Sequence, residues 1–149
     1  PHVVSDSHLK EIMEKVKRPC VRYTEATEEN VSKADCLIID CYGLLSSIYR
    51  YGEISYIGGG FGVGIHNVLE AAVYGIPVIF GPNNKKFREA QHLLEKKGGF
   101  EINDYEEFKR LMDRFLTDNS YLQQAGNAAR DYVKNNSGAL EKIMKAIRL

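Results

Sequence analysis

The sequence predicts an α/β fold, a parallel sheet flanked by helices. Short strand-like runs alternate with amphipathic helical stretches along all 149 residues. Some of those runs, such as Cys36-Leu37-Ile38-Ile39, are continuously apolar, as buried strands are. No internal repeat, low-complexity segment or second-domain boundary interrupts the alternation, and the length suits a single domain over residues 1–149.

His2–Val4 reads as the tail of a strand. It lacks an initiator Met, so a chain cut from something longer is expected. Ser5 or Ser7 caps a helix to about Lys17, with Leu9, Ile12, Met13 and Val16 on one face, and Arg18-Pro19 stops it. Cys20–Tyr23 is a strand. Thr27 with Glu28 and Glu29 opens a short helical piece, Cys36–Ile39 is a strand, and Leu44–Tyr51 a short helix.

The strand Ile54–Ile57 enters Gly58-Gly59-Gly60-Phe61-Gly62-Val63-Gly64. A helix over Asn67–Tyr74 follows, closed by Gly75. Pro77–Phe80 is the next strand, and Gly81-Pro82 turns out of it. Lys85–Lys97 is a helix closed by Gly98-Gly99, Phe100–Ile102 a small strand, and Asp104 caps a helix to about Leu116. Tyr121–Leu149 is helical with a break near Asn136-Ser137-Gly138.

Composition narrows the function. Twenty basic and twenty acidic side chains cancel, so no long-range field draws the chain to nucleic acid or an anionic membrane. Three cysteines without a CxxC pair (Cys20, Cys36 and Cys41) speak against a disulfide framework or a zinc site, and predict free, mostly buried thiols. No apolar run approaches the ~20 residues of a membrane span.

In parallel α/β sheets ligands bind beyond the carboxyl ends of the strands. That points to the loops after Ile39, Ile57 and Phe80. Five glycines in seven residues after Ile57 exceed what a turn needs, and suggest close backbone approach to a phosphate at a helix N-terminus. A tight crossover without ligand is the plainer reading.

Spacing tests the known phosphate loops. In GxGxxG the third glycine would fall at Val63, Ile65 or Asn67, and the next strand ends without an acid for a ribose. A Walker loop begun at Gly59 reaches Gly64, but Ile65-His66 follow instead of Lys and Ser/Thr. Asn67 and Glu70 share one face of the next helix's first turn. There Glu70 is placed to accept two sugar hydroxyls, although each residue could instead be a cap or a dipole partner.

The string Gly58-Gly59-Gly60-Phe61…Ile65-His66-Asn67-Val68-Leu69-Glu70-Ala71-Ala72…Gly75-Ile76-Pro77-Val78-Ile79-Phe80-Gly81-Pro82, with Phe87-Arg88-Glu89-Ala90 after it, resembles the C-terminal domain of 3-deoxy-D-manno-octulosonic acid (Kdo) transferases. The resemblance implies a Rossmann-like domain, the C-terminal half of a GT-B type glycosyltransferase. It implies CMP-Kdo as donor and a lipid A precursor as acceptor, held through an N-terminal domain absent from this chain. Transfer would be inverting, with no metal and no cofactor. The family's membrane contact would place the full-length protein on the cytoplasmic face of the bacterial inner membrane, through an anchor this chain lacks.

The CMP contacts carried over are Pro1 and His2, then Tyr42, Gly43 and Leu44, then Gly58, Gly59 and Gly60 with His66, Asn67, Val68, Leu69 and Glu70. His2 stands where many relatives have arginine. The spacer from Gly43 to Tyr51-Gly52 is longer than in enterobacterial members. The family's general base lies in the N-terminal domain, so this chain alone is expected to bind donor and catalyse nothing.

Lys85, Lys86 and Arg88 are further candidates for donor contact, while His8 and His92 read as structural or exposed. Two alternatives stay open. One is another GT-B transferase or a UDP-sugar epimerase. The other is a ligand-free interaction domain of Rossmann-like shape.

Overall fold

The computed structural model describes residues 4–147, the side chains of 139–142 excepted. Pro1, His2 and most of the strand expected over His2–Val4 lie outside them. The chain divides between Ile48 and Tyr49 into two units.

In the first unit, α1 (Asp6–Lys15) begins where the Ser5 hydroxyl accepts the His8 N–H at 3.4 Å. β1 (Cys20–Arg22) is followed by a single-turn 3₁₀ helix at Tyr23–Glu25. α2 (Glu28–Val31) opens with a reciprocal cap. The Thr27 hydroxyl accepts the Asn30 N–H, and the Asn30 side chain accepts the Thr27 N–H. That satisfies two N–H groups the helix itself cannot. β2 (Cys36–Ile38) pairs in parallel with β1, Cys20 beside Cys36 and Arg22 beside Ile38. α3 (Leu45–Ile48) closes the unit, whose buried apolar side chains are Leu9, Val21 and Ile38.

The second unit starts with a 3₁₀ turn at Tyr49–Tyr51, where a continuous helix from Leu44 was expected. β3 (Ser55–Ile57), α4 (Leu69–Ala72), β4 (Val78–Phe80), α5 (Arg88–Glu95) and β5 (Gly99–Glu101) follow, then α6 (Tyr105–Thr117), α7 (Asn119–Asn136) and α8 (Ala139–Ile147). The strands form one parallel sheet in the order β3-β4-β5. β4 is central and wholly buried, and its side chains alternate between two cores as a strand's period of two requires. Val78 and Phe80 join Ile57, Ile65, Val68, Ala71, Ala72, Leu93 and Ala129. Ile79 joins Ile102, Phe115 and Ala125. Helices therefore cover both faces of this sheet, as the alternating pattern predicts. The described strands make two parallel sheets rather than one.

Several boundaries differ from expectation for local reasons. The helix expected from Lys85 starts at Arg88, because Asn83 and Asn84 hold the preceding residues in a hydrogen-bonded loop. At its other end the left-handed residue is Lys97, with φ 61°. Gly98 is needed for a different reason: a Cβ there would lie 2.6 Å from the Ala129 nitrogen of α7. The three cysteines are half-buried rather than mostly buried.

Candidate functional site

At the carboxyl end of β3 the chain enters the glycine turn. Gly62 and Gly64 both donate their N–H to the Gly59 carbonyl, at 2.9 and 3.2 Å, which rolls the turn tightly on itself. Gly59 has φ 90° and Gly64 φ 144°, values that favour glycine. A Cβ on Gly59 would overlap the Gly64 carbonyl oxygen. A Cβ on Gly60 would lie 2.6–2.9 Å from the backbone of Gly81, just past β4, and one on Gly64 would press on the Phe87 ring.

The protein's own packing therefore accounts for three of the five glycines. Fewer glycines are thus in excess of what the turn needs than the sequence suggests. Gly58 and Gly62 remain. A Cβ on Gly58 would meet nothing nearer than the His66 ring at 4.0 Å, and one on Gly62 nothing nearer than 3.6 Å.

After the turn, Ile65 and Val68 are buried and pin the segment to the core. The helix that follows is one turn long and begins at Leu69, not Asn67. Asn67 lies just outside it. The Asn67 side-chain oxygen Oδ1 accepts the Leu69 N–H at 3.0 Å, and its side-chain amide Nδ2 donates to Glu70 Oε1 at 3.1 Å. So Asn67 both bonds the first residue of the helix and orients the carboxylate. A carboxylate offers about four lone-pair positions, so Glu70 keeps acceptor capacity beyond the Asn67 bond. Burial, with the nearby Glu70 charge adding to it, raises the Tyr49 hydroxyl above the usual tyrosine range.

His66 is exposed. Val68 has its side chain in the core and can offer a ligand only backbone. Leu69 packs against the same core and lines a 400 Å³ cavity with Arg88, Glu89, His92, Tyr132 and Asn136. His92, read from sequence as structural or exposed, meets the Tyr132 hydroxyl through Nδ1 at 3.1 Å.

In the first unit, Tyr42, Gly43 and Leu44 follow a buried anchor, Asp40. Its carboxylate accepts from the Thr24 hydroxyl at 2.6 Å, the Thr24 N–H at 2.9 Å and Arg22 Nε at 2.8 Å. The Thr24 hydrogen bonds and the Arg22 guanidinium outweigh the cost of burial and hold Asp40 at about 2. Beyond it Tyr42 is exposed and Gly43 has φ 86°.

The sequence pointed to the loop after β4 but not to its two asparagines. Asn84 is fully buried, with its amide donating to the Gly81 carbonyl at 2.9 Å and to Glu101 at 2.7 Å, while Gln91 donates to its side-chain oxygen at 2.5 Å. Asn83 reaches the glycine turn itself, donating side-chain N–H to the Gly62 carbonyl at 2.6 Å and backbone N–H to the Gly60 carbonyl at 2.9 Å. The only sequence signal was an Asn-Asn pair after Gly-Pro. Lys85 and Lys86 are exposed in the same loop.

A second missed feature is an apolar 360 Å³ groove lined by Tyr56, Phe61, Ile102, Asp104, Tyr105 and Phe108. Among the described residues no group of three or more His, Cys, Asp or Glu could hold a metal ion, and no helix is long and apolar enough to cross a membrane.

No family model matches the sequence. Curated proteins do. The 3-deoxy-D-manno-octulosonic acid transferase of Aquifex aeolicus is 37% identical over 87 residues, 57% of this chain and 25% of that protein. That of Rickettsia felis is 30% identical over 116 residues, 76% of this chain and 25% of the relative. A bifunctional glycosyltransferase/methyltransferase of Fusobacterium nucleatum is 28% identical, covering 83% of this chain and 21% of its own.

The chain thus spans about a quarter of the length of these relatives. Among solved structures, the C-terminal CMP-Kdo binding domain of WaaA from Acinetobacter baumannii superposes with a TM-score of 0.74 at 18% identity, over 86% of this chain and 67% of that one. The likeness fits the Rossmann-like, GT-B C-terminal fold read from the sequence. The chain is a relative of the 3-deoxy-D-manno-octulosonic acid transferases, with the fold of their C-terminal domain.

Proposed function

We propose that residues 1–149 act as the donor-binding domain of a glycosyltransferase that moves Kdo from CMP-Kdo to a lipid A precursor. The observation that carries this is the Asn67–Glu70 pair at the end of the glycine turn. Asn67 fixes the Glu70 carboxylate beside a turn whose backbone is stripped of side chains. A ribose diol suits the carboxylate, and the phosphodiester suits the turn's N–H groups. Tyr42, Gly43 and Leu44 are proposed as a separate donor contact.

An inverting transfer needs two things besides binding. The acceptor hydroxyl must lose its proton, and the departing CMP phosphate must be stabilised. The proposed contacts supply only the second. The base and the acceptor site are assigned to a part corresponding to the three quarters of the relatives' length that this chain does not match, as is contact with the cytoplasmic face of the inner membrane. On this reading the chain alone binds donor and transfers nothing.

The test is calorimetric titration with CMP, UMP and UDP. CMP is expected to bind most tightly, and Glu70→Ala to weaken it about 10- to 100-fold, the value of hydrogen bonds to a charged group. Binding of UDP but not CMP would sink the CMP-Kdo reading in favour of a UDP-sugar enzyme. Equal CMP affinity in Glu70→Ala would remove the carboxylate from the site.

A further inference from the structure

We propose that Asn83 is a positioning residue for the donor, the group that fixes the crest of the glycine turn. This rests on the donor reading above. Within the turn, the Gly62 and Gly64 N–H groups bond the Gly59 carbonyl, but the crest takes one side-chain hydrogen bond from outside, that of Asn83. Phe61, Gly62 and Val63 are all exposed, so no burial fixes them. The turn's five glycines have no side chain to pack, and glycine loses more conformational freedom on ordering than any other residue.

The loop after β4, by contrast, is rigidly built. Gln91 of α5 donates to Asn84, and Asn84 donates to Gly81 and to Glu101 at the end of β5. Gly81 in turn lies against Gly60 and against the Phe61 ring, which a Cβ on Gly81 would strike at 2.8 Å. From this platform Asn83 makes two bonds to the turn. Its backbone N–H takes the Gly60 carbonyl, at the base. Its side-chain amide takes the Gly62 carbonyl, at the crest.

The two bonds separate cleanly under mutation. Asn83→Ala keeps the backbone bond, so the turn stays docked on Gly81, and removes the side-chain bond to the crest, leaving Phe61–Gly64 held by the turn's own bonds to Gly59. The donor would then meet a turn that must be ordered on binding, and that cost weakens affinity.

The experiment is amide exchange by NMR on the whole chain, with CMP titration of the same samples. In Asn83→Ala and Asn83→Asp (similar in size but without the amide donor), exchange at Gly62 and Gly64 is expected to quicken about tenfold. Exchange at Val78–Phe80 and the melting temperature are expected to stay as in the wild type. CMP Kd is expected to rise about three- to tenfold. Asn127→Ala, which removes only an exposed bond to Arg130, is expected to change none of these.

Wild-type exchange at Gly62 and Gly64 in both variants would overturn the proposal. So would faster exchange with an unchanged CMP Kd. Should the wild-type chain itself fail to bind CMP, the donor reading and the donor role of Asn83 fall together. The exchange data would then still decide whether Asn83 orders the turn.

Discussion

Gly58 is the residue on which the meaning of the glycine turn depends. Gly59, Gly60 and Gly64 are demanded by contacts within the protein, but Gly58 is not. A methyl group there has room and does not require a left-handed backbone. Gly58→Ala is therefore expected to leave stability within about 0.5 kcal/mol. If the donor approaches the backbone here, the same change should weaken CMP binding about tenfold or more. Gly60→Ala makes the contrast. Its Cβ would be forced against the Gly81 backbone, and overpacking of this kind costs about 1–3 kcal/mol. Urea denaturation and CMP titration of the two variants check both outcomes, and unimpaired CMP binding by Gly58→Ala would leave Gly58 without a part in the site. This distinction was not legible in the sequence. Five glycines in seven residues look alike there, and the partner that explains Gly60 is twenty-one residues away. The Asn67–Glu70 pairing was legible, because contact between residues three apart is a local property, although Asn67 lies just outside the helix it was expected to share. Asn84 was not, because an asparagine after Gly-Pro reads as loop surface, and its burial depends on Gln91 and Glu101.

Among the elements, strands and caps were read best. Ser5, Thr27 and Asp104 each start a helix as the sequence suggests, since a cap is a bond between neighbours. Helix lengths were read worst. α4 keeps one turn and α5 loses its expected first residues, because loop carbonyls are claimed by distant amides. The link from β2 back to the turn after β1 is the element-scale device with a pH signature. Asp40 is held at about 2 by Thr24 and Arg22, below the about 3.9 of an unfolded aspartate. A depressed carboxyl stabilises the folded state above the unfolded value, and that stabilisation is lost as pH falls toward the folded one. The Asp40 contribution is thus expected to be complete above about pH 5 and to fade between about pH 4 and pH 2. In melting curves recorded across this range, the advantage of the wild type over Asp40→Asn should shrink as pH falls. A constant difference down to pH 2 would show that the carboxylate's charge is not what stabilises the link.

For the whole molecule, the fold class and strand direction were legible, while the division at Ile48 was not. The sequence shows no composition shift there, and the division follows from which strands pair. The second unit carries the β3-β4-β5 sheet, both large apolar clusters and the Asn67–Glu70 pair. Its β4 side chains are sealed from both faces by helices of the same unit. That is enough burial for independent folding at this size. Residues 49–149 made alone are therefore expected to melt cooperatively and to give a dispersed amide spectrum. A collapsed spectrum without a cooperative transition would show that the second core depends on the first 48 residues. The same fragment apportions the proposed donor contacts. It keeps Gly58–Gly60 and Asn67–Glu70 but lacks Tyr42–Leu44. If both groups hold the nucleotide, the fragment should bind CMP more weakly than the full chain yet still lose affinity on Glu70→Ala. Equal affinity in fragment and full chain would remove Tyr42–Leu44 from the site. Loss of all binding in a fragment that still folds would make those residues, or others before Tyr49, indispensable to it.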